Sequence, residues 1–382
     1  MKTHRHPLLP AAPGTRREIT SLHFGTPGSG PKALIQASLH ADEVPPMLVA
    51  QHLRGALGGL EQAGRLRGEI VLIPVANPIG LGQRLLEQPV GRFDLASGEN
   101  FNRHYANLFE IVRHQLEDRL GGDERANIAS LRALLRDACA QLSVHTELQS
   151  LRQVLLSLAV DADTVLDLHC DNEALLHLYT TPSLWHAVEP LARELQCPLA
   201  LLADGSGDDP FDEACSLTWQ RLAAHLAATH PGVAAGPGLA QACVAATVEL
   251  RGEADVSHAQ AAADARGLLR YLMQRGHIEP DADFGRSPTP PSGAPRPLAG
   301  SMPVVAPIGG VLLYLRELGA TLAEGEPFAE IIEPVSGQTV TVASPVDGLF
   351  FARDARRYVA AGTRIAKISG TQARRRGKLM SA

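Results

Sequence analysis

The stretch KALIQASLHADEVPPMLVAQHLRGALGGL (residues 32–60) decides how this chain folds. Residues 32–39 form an apolar run of the kind found in a strand covered on both faces. From residue 46 the period changes and apolar positions recur at helical spacing. Pro45 and Pro46 suit the first turn of that helix, where an amide hydrogen would have no partner. GEIVLIPVAN (residues 68–77) then reads as a second buried strand. Strand, helix, strand is the unit of a parallel sheet, so the expected class is α/β with helices flanking the sheet.

The same reading extends outward. ADTVLDLHC (162–170) and ATVELRG (246–252) are further short buried strands, and residues 107–159 turn helical, most clearly in SLRALLRDACAQL (130–142). AQAAADARGLLRYLMQRG (259–276) is another helix. The α/β domain is expected over residues 17–284, after an N-terminal tail over 1–16. GRSPTPPSGAPRPLAG (285–300), dense in Pro, Gly and Ser, reads as a linker. Beyond it, GGVLLYLRELGATLAEGEPFAEI (309–331) lines up with DGLFFARDARRYVAAGTRIAKI (347–368), each half reading as strand, turn, glycine, strand. A small all-β domain of two matching halves is expected over 301–370, followed by a disordered basic tail over 371–382.

Composition narrows the function classes. Of 382 residues, 45% are hydrophobic and 20% charged, an ordinary globular balance with enough chain for more than one domain. A net charge of −6 and an aromatic content of 4% argue against nucleic acid as a partner. The sequence has no continuous apolar run of about 18 residues, and its first residues lack the apolar core of a signal peptide, so no membrane association is expected. The five cysteines are widely spaced without a CxxC, which argues against a disulfide framework and for a reducing cytoplasm.

The candidate chemistry gathers at strand ends. His40 and Glu43 form a His-x-x-Glu pair where the first strand stops, the edge at which ligands collect in open α/β sheets. Imidazole nitrogen and carboxylate oxygen are zinc ligands; the alternative is a solvated turn. Asp42, between them, reads as a turn residue or a supporting partner. His169 ends a second buried strand, with Asp167 on the same strand face as a supporting carboxylate. Glu249 lies mid-strand, where a carboxylate is costly to bury, and reads as a general base or as an ion-pair partner of Arg251. In GENFNRHY (98–105), Asn102 and Arg103 are a carboxylate-binding candidate or else a helix cap and a surface arginine. Arg84 is a second cation near the same edge and Arg92 a weaker third. Cys170 as a nucleophile beside His169 fails on geometry, because adjacent strand residues point to opposite faces.

Taken in order, LHADE, ANPIGLGQR, ENFNR, VLDLHC and TVELRG resemble the succinylglutamate desuccinylase/aspartoacylase family, a branch of the zinc carboxypeptidase fold, over residues 18–280. The resemblance implies a mixed sheet flanked by helices, and one Zn²⁺ per subunit held by His40, Glu43 and His169. It implies Glu249 as general base and proton shuttle, Asn102 and Arg103 as holders of the substrate carboxylate, and Arg84 as the arginine that stabilises the oxyanion, with Arg92 as its competitor. The activity implied is hydrolysis of the amide of a small N-acyl amino acid. A peptidase acting on peptide C-termini and a non-catalytic protein retaining the fold are the rival readings. The C-terminal halves resemble the biotinyl/lipoyl-like β-sandwich appended to many members. The turn SPVDGLFF (344–351) has no lysine to carry such a group, so a lid or a homo-oligomer contact is expected instead.

Overall fold

The computed structural model describes residues 1–116, 119–230, 232, 236–282 and 293–380. In chain order, strands β1 (Lys2–Pro7), β2 (Glu18–Gly25), β3 (Lys32–Ala37) and β4 (Glu69–Ile73) precede β5 (Thr164–Asp171), β6 (His177–Thr180), β7 (Leu199–Leu202), β8 (Val244–Gly252) and β9 (Arg296–Pro297). They form one nine-stranded mixed sheet in the order β1-β2-β4-β3-β5-β8-β6-β7-β9. Its centre is parallel, because the crossovers run through helices such as α1 (Pro45–Gln62), which begins at Pro45 and Pro46 as its sequence predicts.

Side chains alternate across the sheet. Leu34, Val71, Val165 and Ala245 face one helical layer, which includes Glu124–Ala140, Glu147–Ala159 and Phe211–Thr229. Ile35, Leu72, Leu166 and Val248 face the other, made by α1, Trp185–Glu194 and His258–Gln274. Both faces are dry, which is why these strands read as continuous apolar runs.

Three segments expected to be unstructured carry order. Residues 2–7, expected as a tail, pair with β2 as an edge strand. Of the expected linker, residues 285–292 lie outside the described residues, but Arg296–Pro297 adds to the sheet beside β7. Of the expected basic tail, residues 371–380 pack back onto the chain; Leu379 N–H donates to the Ser206 carbonyl at 2.9 Å. None of the three has the alternation or apolar run that marks a strand from sequence.

The C-terminal residues form two packed antiparallel sheets around Leu312, Phe328, Ile331, Phe350 and Ile368. The half-repeat is physical: Thr321–Leu322 of the first half pairs with Gly348–Arg353 of the second, and Tyr358–Val359 of the second pairs with Gly310–Tyr314 of the first. Gly310 and Gly348 begin equivalent strands, and a Cβ at either would lie 2.3 or 2.6 Å from a backbone carbonyl oxygen across the ladder. The β domain is joined to the α/β domain by a short strand that follows β5, Glu173–Ala174, which pairs with it, Ala174 opposite Ala352 and Glu173 opposite Arg353.

His277 gives the fold a pH dependence. Its Nε2 lies 2.8 Å from Thr164 Oγ1 at the start of β5. Burial lowers its pKa from 6.5 to about 4. The unfolded chain therefore binds the extra proton first, so stability is full above pH 6.5 and declines towards pH 4, by roughly 3 kcal/mol. Urea titrations of His277→Gln should show a shallower decline over that window than the wild type; equal slopes would remove His277 as its source.

Candidate metal centre and active site

The chain leaves β3 through Ser38, whose φ of 58° is left-handed. That turn carries His40 and Glu43, and it is held from both sides. Ser38 Oγ donates to the Glu43 carbonyl at 2.6 Å, and Asn77 Nδ2 donates to the Leu39 carbonyl at 2.9 Å. His40 and Glu43 are 4% and 1% exposed, so the reading of this stretch as a solvated turn is excluded.

His169 arrives from β5, and the three side chains converge. Both imidazoles turn Nδ1 towards the Glu43 carboxylate, at 2.9 Å for His40 and 2.8 Å for His169. Their outer nitrogens are backed by acceptors: Asn100 Oδ1 lies 2.8 Å from His40 Nε2, and Asp167 Oδ2 lies 3.0 Å from His169 Nε2. Acceptors at Nε2 favour a hydrogen there and leave the Nδ1 lone pairs directed inward, the arrangement expected of histidine metal ligands. Asp167 is itself oriented by Gln36 Nε2, at 2.9 Å. Three ligand atoms of His40, Glu43 and His169 lie within 4.8 Å of one another, and both histidines face a cavity, which leaves an open side for water or substrate.

Electrostatics fit a cation at this point. Burial opposes ionisation of Glu43, but the two histidines outweigh it and hold its carboxyl well below the ordinary range. Burial and then Arg92 lower the pKa of His40. For His169 burial also acts downward, yet Asp167 and Glu43 prevail and raise it well above the usual value. The donor set therefore attracts positive charge, which a proton on His169 would supply until an ion displaces it.

Glu249 is placed by register. It lies directly opposite His169 on one side and His177 on the other, so all three side chains emerge on one face. Directly after it the pairing slips, and Arg251 takes a φ of 68°. That bulge sends Arg251 to Asp264, which it grips with two bonds of 2.7 and 2.9 Å. Glu249 is thus not the ion-pair partner of Arg251. Its Oε2 is buried with no hydrogen-bond partner among the described residues. Burial, then the Glu43 charge, push its pKa up to about 8, giving a carboxyl able both to take a proton and to return it.

Arg84 does not join this group, and Arg92 does. Arg84 sits on an exposed two-residue ladder with Gln88–Pro89 and does not line the cavity. Arg92 is on the cavity wall and donates to Glu43 Oε1 at 2.8 Å. The physical reason is Gly91. A Cβ there would lie 2.2 Å from the Asp42 backbone nitrogen, so only glycine lets this loop approach the ligand-bearing turn. The Gly91 N–H then donates to Asp42 Oδ2 at 3.2 Å, and Ala41 N–H donates to the Gly91 carbonyl at 3.0 Å. Asp42 is therefore the clasp that delivers Arg92. Arg92→Gln should reduce turnover about 10²-fold or more, as expected for a lost oxyanion donor, while Arg84→Gln stays near wild type in parallel kcat measurements.

Asn102 and Arg103 also line the cavity and are buried, which excludes the surface reading of Arg103. Asn102 Oδ1 accepts from Phe211 N–H at 2.9 Å, tying the loop to the helix Phe211–Thr229. Arg103 has Asp212, Glu213 and Asp208 around it, so this end of the cavity is a mixed-charge patch. Burial, then Glu213, push Asp212 up to about 7. Sequence reading missed Asn100, Asp171, Asp212, Glu213, Tyr179 and Lys367. Asn100 was within sight as part of ENFNR; the others come together only in the tertiary fold, from β5, β6, the helix Phe211–Thr229 and the β domain. Cys170 is buried, and burial and Glu43 raise its thiol far above the usual range, which rules it out as a nucleophile.

Comparison with known proteins agrees with this fold. The succinylglutamate desuccinylase/aspartoacylase catalytic domain family matches residues 29–275. A family protein of that description from Shewanella amazonensis is similar at 27% identity and a TM-score of 0.82, with 97% of this chain and 98% of that one covered. Another from Shewanella frigidimarina is 25% identical, with a TM-score of 0.81 and 96% of each chain covered. The ectoine utilization protein EutE (DoeB) of Ruegeria pomeroyi shares the fold, at 14% identity and a TM-score of 0.65, over 96% of this chain and 94% of that one. No curated protein sequence matches the chain at a significant level.

Proposed function

The chain belongs to the succinylglutamate desuccinylase/aspartoacylase family, and from that premise we propose that it is a zinc-dependent deacylase that hydrolyses the amide of a small N-acyl amino acid or a related carboxylate-bearing amide. The observation that carries this reading is the convergence of His40, Glu43 and His169 on one point, with Glu249 in register beside His169 on the same cavity wall.

When bound by those three residues, Zn²⁺ supplies Lewis acidity, lowering the pKa of a water molecule to about 7 and polarising the acyl oxygen. The protein does the rest. Glu249 takes the proton of the attacking water and hands it to the leaving nitrogen, so the amine departs neutral. Arg92 donates to the acyl oxygen as negative charge grows there. Arg103 holds the substrate carboxylate, and Asn102 keeps that loop against the helix that begins at Phe211. The five cysteines are unpaired and buried, which supports a reducing, cytoplasmic location as part of this proposal. Among the described residues no helix is long and apolar enough to cross a membrane.

Elemental analysis joined to a hydrolysis screen tests the proposal. Near-stoichiometric zinc and release of free amine from N-acetyl, N-succinyl or N-formyl amino acids are expected. Cleavage of short peptides with no turnover of N-acyl amino acids would move the assignment to a peptidase, and a metal-free, inert protein would end it.

A further inference from the structure

Away from the metal residues the cavity wall changes character. Tyr179 and Leu201 come from the adjacent strands β6 and β7, Leu298 follows β9, and Met380 comes from the segment after the β domain. Tyr179, Leu201 and Leu298 are buried in one apolar cluster, and Ala203, Leu379 and Met380 pack against it. This wall is continuous with the core at the junction of the two domains, yet it opens into the same cavity as His40, His169 and Glu249.

The segment bearing Met380 is fastened on both sides. The amides of Arg374 and Arg375 donate to the Ala299 carbonyl, each at 2.9 Å. The Arg375 guanidinium donates to the carbonyls of Ser301 at 3.0 Å and Leu379 at 2.6 Å. Lys378 pairs with Asp208 at 2.7 Å, and Leu379 N–H reaches the Ser206 carbonyl. Ser206 N–H in turn donates to Glu213 on the cavity wall. Met380 is thus held against the cavity by a strap whose anchors lie on both domains.

We propose that Tyr179, Leu201, Leu298 and Met380 form an apolar subsite that accepts a small aliphatic or aromatic group of the substrate, with Met380 setting its specificity. Apolar walls with a few fixed polar groups are how small-molecule sites combine affinity with orientation, and a thioether adapts its shape to the group it meets. A substrate made only of carboxylates and an amide would leave this wall facing water. The inference rests on the deacylase reading for its chemistry, but the subsite is a binding feature in its own right.

The test uses the metal-loaded full chain. The ratio of kcat/KM for N-acetyl-leucine and N-acetyl-phenylalanine over N-acetylglycine probes the amine side, and N-(4-methylpentanoyl)glycine over N-acetylglycine probes the acyl side. In the wild type one of these ratios should be about tenfold or more. Met380→Asp should collapse that ratio, and Met380→Leu should retain it. Ratios near one in the wild type, or a ratio that survives Met380→Asp with or without a uniform loss of rate, overturn the proposal. If no amide is hydrolysed, the deacylase reading fails and calorimetry still judges the subsite. Leucine or 4-methylpentanoate should then bind about tenfold more tightly than glycine or acetate, and Met380→Asp should abolish the difference; equal affinities overturn the proposal.

Discussion

Glu249→Gln is expected to keep its metal and to lose turnover by about 10²–10⁴-fold. The glutamine matches the shape of the glutamate but has no basic oxygen to take a proton. Glu249 is not one of the three converging ligands, so zinc content should be unchanged. Nor should the fold suffer, because Glu249 Oε2 has no hydrogen-bond partner among the described residues to lose. The substitution also removes a carboxyl whose burial opposes its ionisation. Steady-state kcat beside elemental analysis decides the matter: a variant that retains zinc and turns over within tenfold of the wild type would sink the role given to this residue.

Glu43→Ala is expected to do more, because Glu43 serves four partners at once. Its carboxylate meets His40 and His169, accepts from Arg92, and accepts the Cys170 amide at 3.0 Å. Alanine removes one proposed metal ligand and leaves a guanidinium and a buried amide without their acceptor. Metal should be lost, and the metal-free variant should be less stable than the metal-free wild type by about 3 kcal/mol or more. Glu43→Gln separates the two effects: it can still accept the Cys170 amide, so it should recover part of the stability but not the metal. Stoichiometric zinc in Glu43→Ala would show that the ligand set is wrong. A metal-free stability equal to the wild type would show that Glu43 does not organise the site before the ion binds.

The legibility of this molecule follows chain distance. His40, Glu43, His169 and Glu249 could be picked out because each interrupts an apolar run that otherwise belongs in the core. A polar group at such a position has a physical cost that a function must offset. The order of the sheet's central strands, and with it the register of Glu249 against His169, could not be seen, because equally apolar strands pair equally well on paper. Which arginine faces the site was illegible for a related reason. Arg84 and Arg92 occur in similar polar loops, and what separates them is the contact of Gly91 with the Asp42 backbone, made across about 50 residues of chain.

By itself the amino-acid sequence determined the α/β class, the β domain of two matching halves and the three residues whose side chains converge where a metal ion could be held. These features are written in local patterns: strand and helix periods, turn glycines, and charged groups at the ends of apolar runs. Only the tertiary structure decided that residues 2–7 close one edge of the sheet, that Arg92 rather than Arg84 faces the site, and that Met380 walls the cavity. The last two depend on close approach between segments far apart in the chain, and the first on the pairing of a polar, exposed segment with its neighbour β2. Such contacts are set by packing and backbone hydrogen bonds, which impose no period on the residues that make them.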